Sequence, residues 1–155
     1  MTATGLDRYS GPMAIDLADA LAFVRENDRG VLVTLRRDGL PQLSNIMYVP
    51  DENDLIGISV TESRAKTKNL RRDPRAFLHV TRADFFAYVV LEGTVTLSSV
   101  ATEPGDSVVD ALVDMYRTAR GEHPDWDEFR QAMVDEGRVL VQLRAKRAYG
   151  MLGAP

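Results

Sequence analysis

Between Val31 and Leu97 the chain is a succession of short β-branched and apolar runs, most of them joined by connections too brief to hold a crossover helix. Consecutive strands joined that way must run antiparallel, because a parallel pair needs a dozen or more residues to return. Val31-Leu32-Val33-Thr34-Leu35 leads through Asp38-Gly39, a turn able to take positive φ, into a returning strand over Leu40–Val49. Pro50-Asp51-Glu52-Asn53-Asp54 is a turn cluster before a third strand, Leu55–Val60. Ala76–Val80 reads as a fourth, and Arg82-Ala83-Asp84 turns the chain into Phe86–Leu91. Glu92-Gly93 marks a bulge or kink, since Thr94–Leu97 continues in strand character, and Arg138–Leu143 is the last strand.

Helices punctuate this meander. Asp16 can cap one that places Leu17, Leu21 and Val24 on a single stripe and ends near Asn27. Ser107 with Asp110, and Asp125 with Glu128, each have capping-box spacing before an apolar periodic segment. The expected fold is mainly β within an α+β class: an antiparallel barrel of about six strands flanked by roughly three to four helices. At 155 residues one domain accounts for the chain, with 1–12 as a flexible N-terminal arm and 13–150 as the folded unit. A cysteine count of zero removes disulfides, thiolate metal sites and cysteine nucleophiles. Met1–Met13 lacks the apolar centre of a signal peptide, and no apolar run approaches the ~18 residues of a membrane span, so a cytoplasmic location away from membranes is expected.

With a formal net charge of −4, the protein as a whole should not attract nucleic acid, and any anion it binds must meet a local patch. Ser59–Arg75 is that patch: an apolar run enters hydroxyls at Thr61 and Ser63 and then a short basic helical pattern. Thr61 or Ser63 is a natural N-cap, which leaves Arg64 and Lys66 in the first turn, where the macrodipole already concentrates positive potential. Cations cost ~0.3–1 kcal/mol each at that end unless an anion is present. Strand, hydroxyl-rich turn and helix N-terminus together make a phosphate cradle over Thr61–Thr67, to be weighed against a solvated basic helix end. Lys68, Arg71 and Arg72 have an ordinary explanation, since they complement the dipole before Asp73-Pro74 stops the helix.

Other chemistries lack support. Neither G-x-G-x-x-G nor a Walker sequence is present, His79 and His123 have no metal-ligand spacing, and no G-x-S-x-G elbow occurs. No metal ligand and no catalytic side chain stands out; Tyr48 and Tyr88 are conceivable proton donors with nothing to choose between them. What remains is the cradle, a polar strand carrying Gln42, Ser44 and Asn45, and the aromatics Tyr48, Phe85, Phe86 and Tyr88. A planar heteroaromatic cofactor would use these as charge clamp, edge hydrogen bonds and stacking surface. The aromatics could equally be barrel core or a dimer interface.

Gly39-Leu-Pro-Gln-Leu-Ser-Asn45, Ser63-Arg-Ala-Lys-Thr-Lys-Asn-Leu-Arg-Arg-Asp-Pro74, Glu92-Gly93 and Gly121-Glu-His-Pro-Asp-Trp-Asp-Glu-Phe-Arg-Gln-Ala-Met133 closely resemble the pyridoxamine-phosphate-oxidase-like split-barrel family. Within it they look most like the actinobacterial branch that uses the deazaflavin coenzyme F420. The resemblance implies a split barrel with Greek-key character, and a homodimer with cofactor sites between subunits. It implies that Ser59, Thr61, Arg64, Lys66 and Thr67 bind the cofactor phosphate, that Gln42, Ser44, Asn45 and Met47 line the ring, and that Phe86 and Tyr88 come from the partner. Lys68 would meet the acidic oligoglutamate tail that F420 has and FMN lacks. The implied activity is hydride transfer between the deazaflavin and an electron-poor small molecule. An FMN-dependent oxidase or reductase on the same barrel, and a non-catalytic F420 carrier or sensor, are the alternatives.

Overall fold

The computed structural model describes residues 13–153, so the arm proposed for 1–12 lies outside it. The elements run β1 (Ala14–Ile15), α1 (Leu17–Arg25), β2 (Arg29–Leu35), β3 (Pro41–Met47), β4 (Val49–Pro50), β5 (Ile56–Thr61), α2 (Ala65–Arg72), β6 (Arg75–Thr81), β7 (Tyr88–Leu97), α3 (Ser107–Arg120), α4 (Trp126–Asp135) and β8 (Arg138–Met151). Every strand pairing is antiparallel, in the order β3-β2-β6-β7-β8-β5-β4, with β1 added to β8. The two ends of that path, β3 and β4, are consecutive pieces of one bent segment broken at Tyr48, so the sheet curls back on itself. Where β3 comes alongside the outer edge of β5 there is no ladder, and this seam splits the barrel.

Burial follows the pleat. Leu32, Ile58, Leu78, Val89, Leu91 and Val141 are fully enclosed, and α1 plugs one end with Ala20, Phe23 and Val24. Asp16 caps α1 as expected, accepting from the amides of Ala18 and Asp19. A second, smaller core joins α3 to α4 through Val109, Leu112 and Met133.

Several boundaries differ from the sequence expectation. β8 runs to Met151 rather than stopping at Leu143, and its alternation changes phase at Lys146: Val139, Val141 and Leu143 face in, and so do Ala148 and Gly150. The cause is a bulge, with Glu92 opposite Arg147 but Gly93 opposite Ala145, so the extra residue expected near Glu92-Gly93 sits on the facing strand. Gly93 permits the close approach, because a Cβ there would lie 2.0 Å from the Arg144 carbonyl oxygen. Phe86 is not in a strand. Asp84 accepts from its amide, Phe85 has φ of 67°, and the chain is still turning until Tyr88. The α3 cap is Asp106, not Ser107, and its carboxylate is spent on the amides of Thr102 and Glu103. Asp125 caps α4 as expected, accepting from Glu128.

Candidate cofactor site at the barrel seam

The seam is a cleft of about 450 Å³, lined from β3 by Gln42 and Ser44, from β5 by Ser59, Val60 and Thr61, from the start of α2 by Arg64, Ala65 and Lys66, and from β8 by Arg138. Six residues expected at a cofactor therefore meet in one place. No carboxylate lines it.

The start of α2 is built differently from the expectation. Arg64, not Thr61 or Ser63, occupies the N-cap in extended backbone, and no side chain caps the helix. Thr67 is buried and donates its hydroxyl to the Thr61 carbonyl at 2.8 Å, tying the first turn to the end of β5 rather than presenting that proton to the cleft. Glu62, which follows Thr61, is engaged by a bidentate bond with Arg71 at 2.7–2.8 Å. So Arg71 has a specific partner, where the dipole alone was expected to explain it. Arg64 and Lys66 form no ion pair among the described residues. Burial, followed by the charges of Arg64 and Arg138, pulls the Lys66 pKa below the ordinary lysine value. A half-buried ammonium beside two guanidiniums is a site that gains by receiving an anion.

Arg138 is the residue that sequence reasoning missed. It is the register partner of Thr61 across the β5–β8 ladder, a pairing between distant segments that no local spacing reveals. Its guanidinium is bonded to Glu136 at 2.6 Å and reaches the Ser59 hydroxyl at 3.5 Å.

Asn69 was also unassigned. It is 7% exposed, its amide nitrogen donates to Thr34 Oγ1 (3.1 Å) and Gln42 Oε1 (2.8 Å), and its oxygen accepts from Arg72 at 3.1 Å. Because Arg72 can only donate, it fixes which way the Asn69 amide faces, and Asn69 in turn fixes Gln42. With its oxygen engaged by Asn69, Gln42, which lines the cleft, keeps its NH₂ group as the donor it can offer there.

The pleat divides the remaining expected residues from this set. Asn45 and Met47 point to the outer face of β3, together with Leu43, and line neither the cleft nor its walls. Tyr88 is half-buried on the same outer face, tilted against His79 at 5.6 Å between ring centroids, and Phe86 is 76% exposed at the β6–β7 turn. Lys68 is exposed on α2. Tyr48 is enclosed, donates its hydroxyl to the Val24 carbonyl at 2.8 Å and has its pKa raised, first by burial and then by the charge of Asp28. Among the described residues no cluster of metal-ligating side chains occurs, and no helix is long and apolar enough to cross a membrane.

Comparison with known proteins places these features in context. The family model described as pyridoxamine 5'-phosphate oxidase matches residues 18–152. Among solved structures, a conserved hypothetical protein from Mycobacterium tuberculosis superposes with a TM-score of 0.69 at 23% identity, over 92% of this chain and 88% of that one. A protein described as an F420 reductase superposes at 0.55 with 22% identity, over 78% and 88%. The haem storage protein of Vibrio cholerae does so at 0.64 with 12% identity, over 90% and 98%. At these identities the structural likeness establishes the shared fold.

Proposed function

From the chain's membership of the pyridoxamine 5'-phosphate oxidase family, we propose that it is an F420-dependent oxidoreductase acting on an electron-poor small molecule in the cytoplasm. The observation that carries this reading is the seam cleft, where three cations, Arg64, Lys66 and Arg138, meet three hydroxyl-bearing residues and no carboxylate at an uncapped helix start. That donor set fits a phosphate monoester or diester.

When bound, the reduced deazaflavin would supply hydride-transfer chemistry, two electrons with one proton, to the acceptor. The chain's own part is to bind and orient. Arg64, Lys66 and Arg138 would hold the phosphate, Ser44, Ser59 and Thr61, which line the same cleft, would bond its oxygens or the adjoining chain, and the Gln42 NH₂ would donate further along the seam. Lys68, exposed beyond the cleft on the same helix, suits the oligoglutamate tail. Asn45, Met47 and Tyr88, on the outer face, and Phe86, at the β6–β7 turn, would contribute from the second subunit of a homodimer. The exposure of Leu43 (63%), Met47 (48%) and Met151 (60%) supports burying that face against another copy.

Titrating the protein with F420 and with FMN, followed by fluorescence, tests the assignment. Micromolar F420 affinity with FMN weaker by about tenfold or more is expected. Tighter FMN binding would move the assignment to a flavin-dependent enzyme, since both cofactors bring a phosphate, and binding of neither would overturn it. Lys66→Ala should cost about 1.5–3 kcal/mol of cofactor affinity, the range for hydrogen bonds to charged groups, with the fold intact. Bound reduced cofactor that no quinone, enone or nitro compound oxidises would mark a carrier instead.

A further inference from the structure

Beside the seam lies a larger chamber of about 720 Å³, between the β3–β4 segment and the α3–α4 pair. Its size is that of a small-molecule pocket. Leu112, Met115, Phe129 and Met133 form an apolar inner wall, and Met47 stands at one side. Unbranched methionines reshape around different ligands at little cost, which suits a chamber for apolar bodies of varied outline. The wall is braced from behind by an aromatic knot, in which Tyr116, Trp126 and Phe129 pack edge-on at 5.1–5.7 Å between ring centroids. Ser59 and Arg138 line both this chamber and the seam cleft, so the two spaces share a wall.

Four arginines line the chamber, and three of them have carboxylate partners: Arg25 pairs with Asp54, Arg29 with Asp28 at 3.5 Å and Arg138 with Glu136 at 2.6 Å. Arg120 has no carboxylate partner among the described residues, and its guanidinium lies 3.8 Å from the Met47 sulfur. An unpaired guanidinium at the rim of an apolar pocket is complementary to a carboxylate on an otherwise apolar molecule.

We infer that this chamber is the acceptor site, and that the acceptor has a flat or elongated apolar body bearing a carboxylate that Arg120 receives at the mouth. The inference rests on the oxidoreductase reading above, and names the substrate class for it. Ser59 and Arg138 then stand between the anion held in the seam and the acceptor held beneath α3.

Trp126 is the single tryptophan of the chain; its ring packs in the knot that backs the chamber and its indole N–H donates to Glu122 at 2.8 Å, so that N–H is a unique nuclear magnetic resonance signal that reports on the knot. The test follows that signal in the full-length protein on titration with 2-naphthoate and with its uncharged analogue 2-acetylnaphthalene. Both should shift it saturably. Ala119→Phe, which fills the mouth from an exposed helix position, should weaken both by about tenfold or more, and Arg120→Gln should weaken the carboxylate alone by about fivefold or more. Saturating F420 should leave naphthoate binding in place. A motionless indole signal, equal binding to Ala119→Phe with its fold verified by spectral dispersion, an Arg120→Gln variant that treats both probes alike, or displacement by F420 would each overturn the inference. Naphthoate binding by a protein that binds neither F420 nor FMN would leave the chamber standing and sink the oxidoreductase reading; cofactor binding without naphthoate binding would do the reverse.

Discussion

Asn69 has no contact with the cleft, yet it decides what the cleft offers. In Asn69→Asp the donor to Thr34 and Gln42 is gone, and the Gln42 amide should turn its NH₂ toward the new carboxylate and its carbonyl toward the ligand. An acceptor would then face an anion, and the expected result is an affinity loss of about 0.5–1.5 kcal/mol, the net worth of one hydrogen bond, measured by cofactor titration. An unchanged affinity would show that Gln42 does not reach the ligand. Lys66 gives a pH dependence. Its pKa is depressed in the free protein by burial and by Arg64 and Arg138, whereas a bound phosphate favours the charged form. Binding therefore takes up a proton as pH climbs toward the depressed value, and affinity should fall at a lower pH than an ordinary lysine would give, a fall that Lys66→Arg should abolish. At this scale the sequence was readable where a motif carries its own geometry, as Arg64 and Lys66 do from the start of a helix. It was unreadable where partners are distant: Arg138 meets Thr61 only because β5 and β8 pair. The resemblance groups Gln42, Ser44, Asn45 and Met47 as one lining, but a strand sends alternate residues to opposite faces, so within one chain only Gln42 and Ser44 reach the cleft.

Among the elements, α2 shows a helix start kept short of its best stability. Its N-cap is already in the extended conformation that a capping residue adopts, but the residue is an arginine and makes no cap bond. Arg64→Ser should supply one and remove a charge beside Lys66, raising stability by about 0.5–2 kcal/mol in chemical denaturation while weakening cofactor binding. Loss of stability would mean that Arg64 supports the fold instead. The elements themselves were largely foreseeable, from the Asp38-Gly39 turn, the Asp16 and Asp125 caps and the apolar runs. The tail of β8 was not, because the bulge at Lys146 breaks the alternation that identifies a strand, and Arg144, Lys146 and Arg147 then resemble a solvated end.

For the whole molecule, the outer face of β3, β2, β6 and β7 is the surface that a second copy would cover. A homodimer predicts twice the chain mass by light scattering, and Leu43→Glu, at a position already 63% exposed in the single chain, should halve it and weaken the cofactor site. A wild-type protein that runs as a monomer would remove the partner's share of that site. The barrel's architecture also has a dynamic consequence. Around most of the circumference each strand is held by backbone bonds to both neighbours, but between Gln42–Ser44 and Ser59–Thr61 the chain leaves that task to side chains and to whatever lies between them. A ligand there acts as the missing staple, so occupancy and breathing of the barrel oppose each other, and amide exchange at the edges of β3 and β5 should slow with loading while that of β7 and β8 stays as it was.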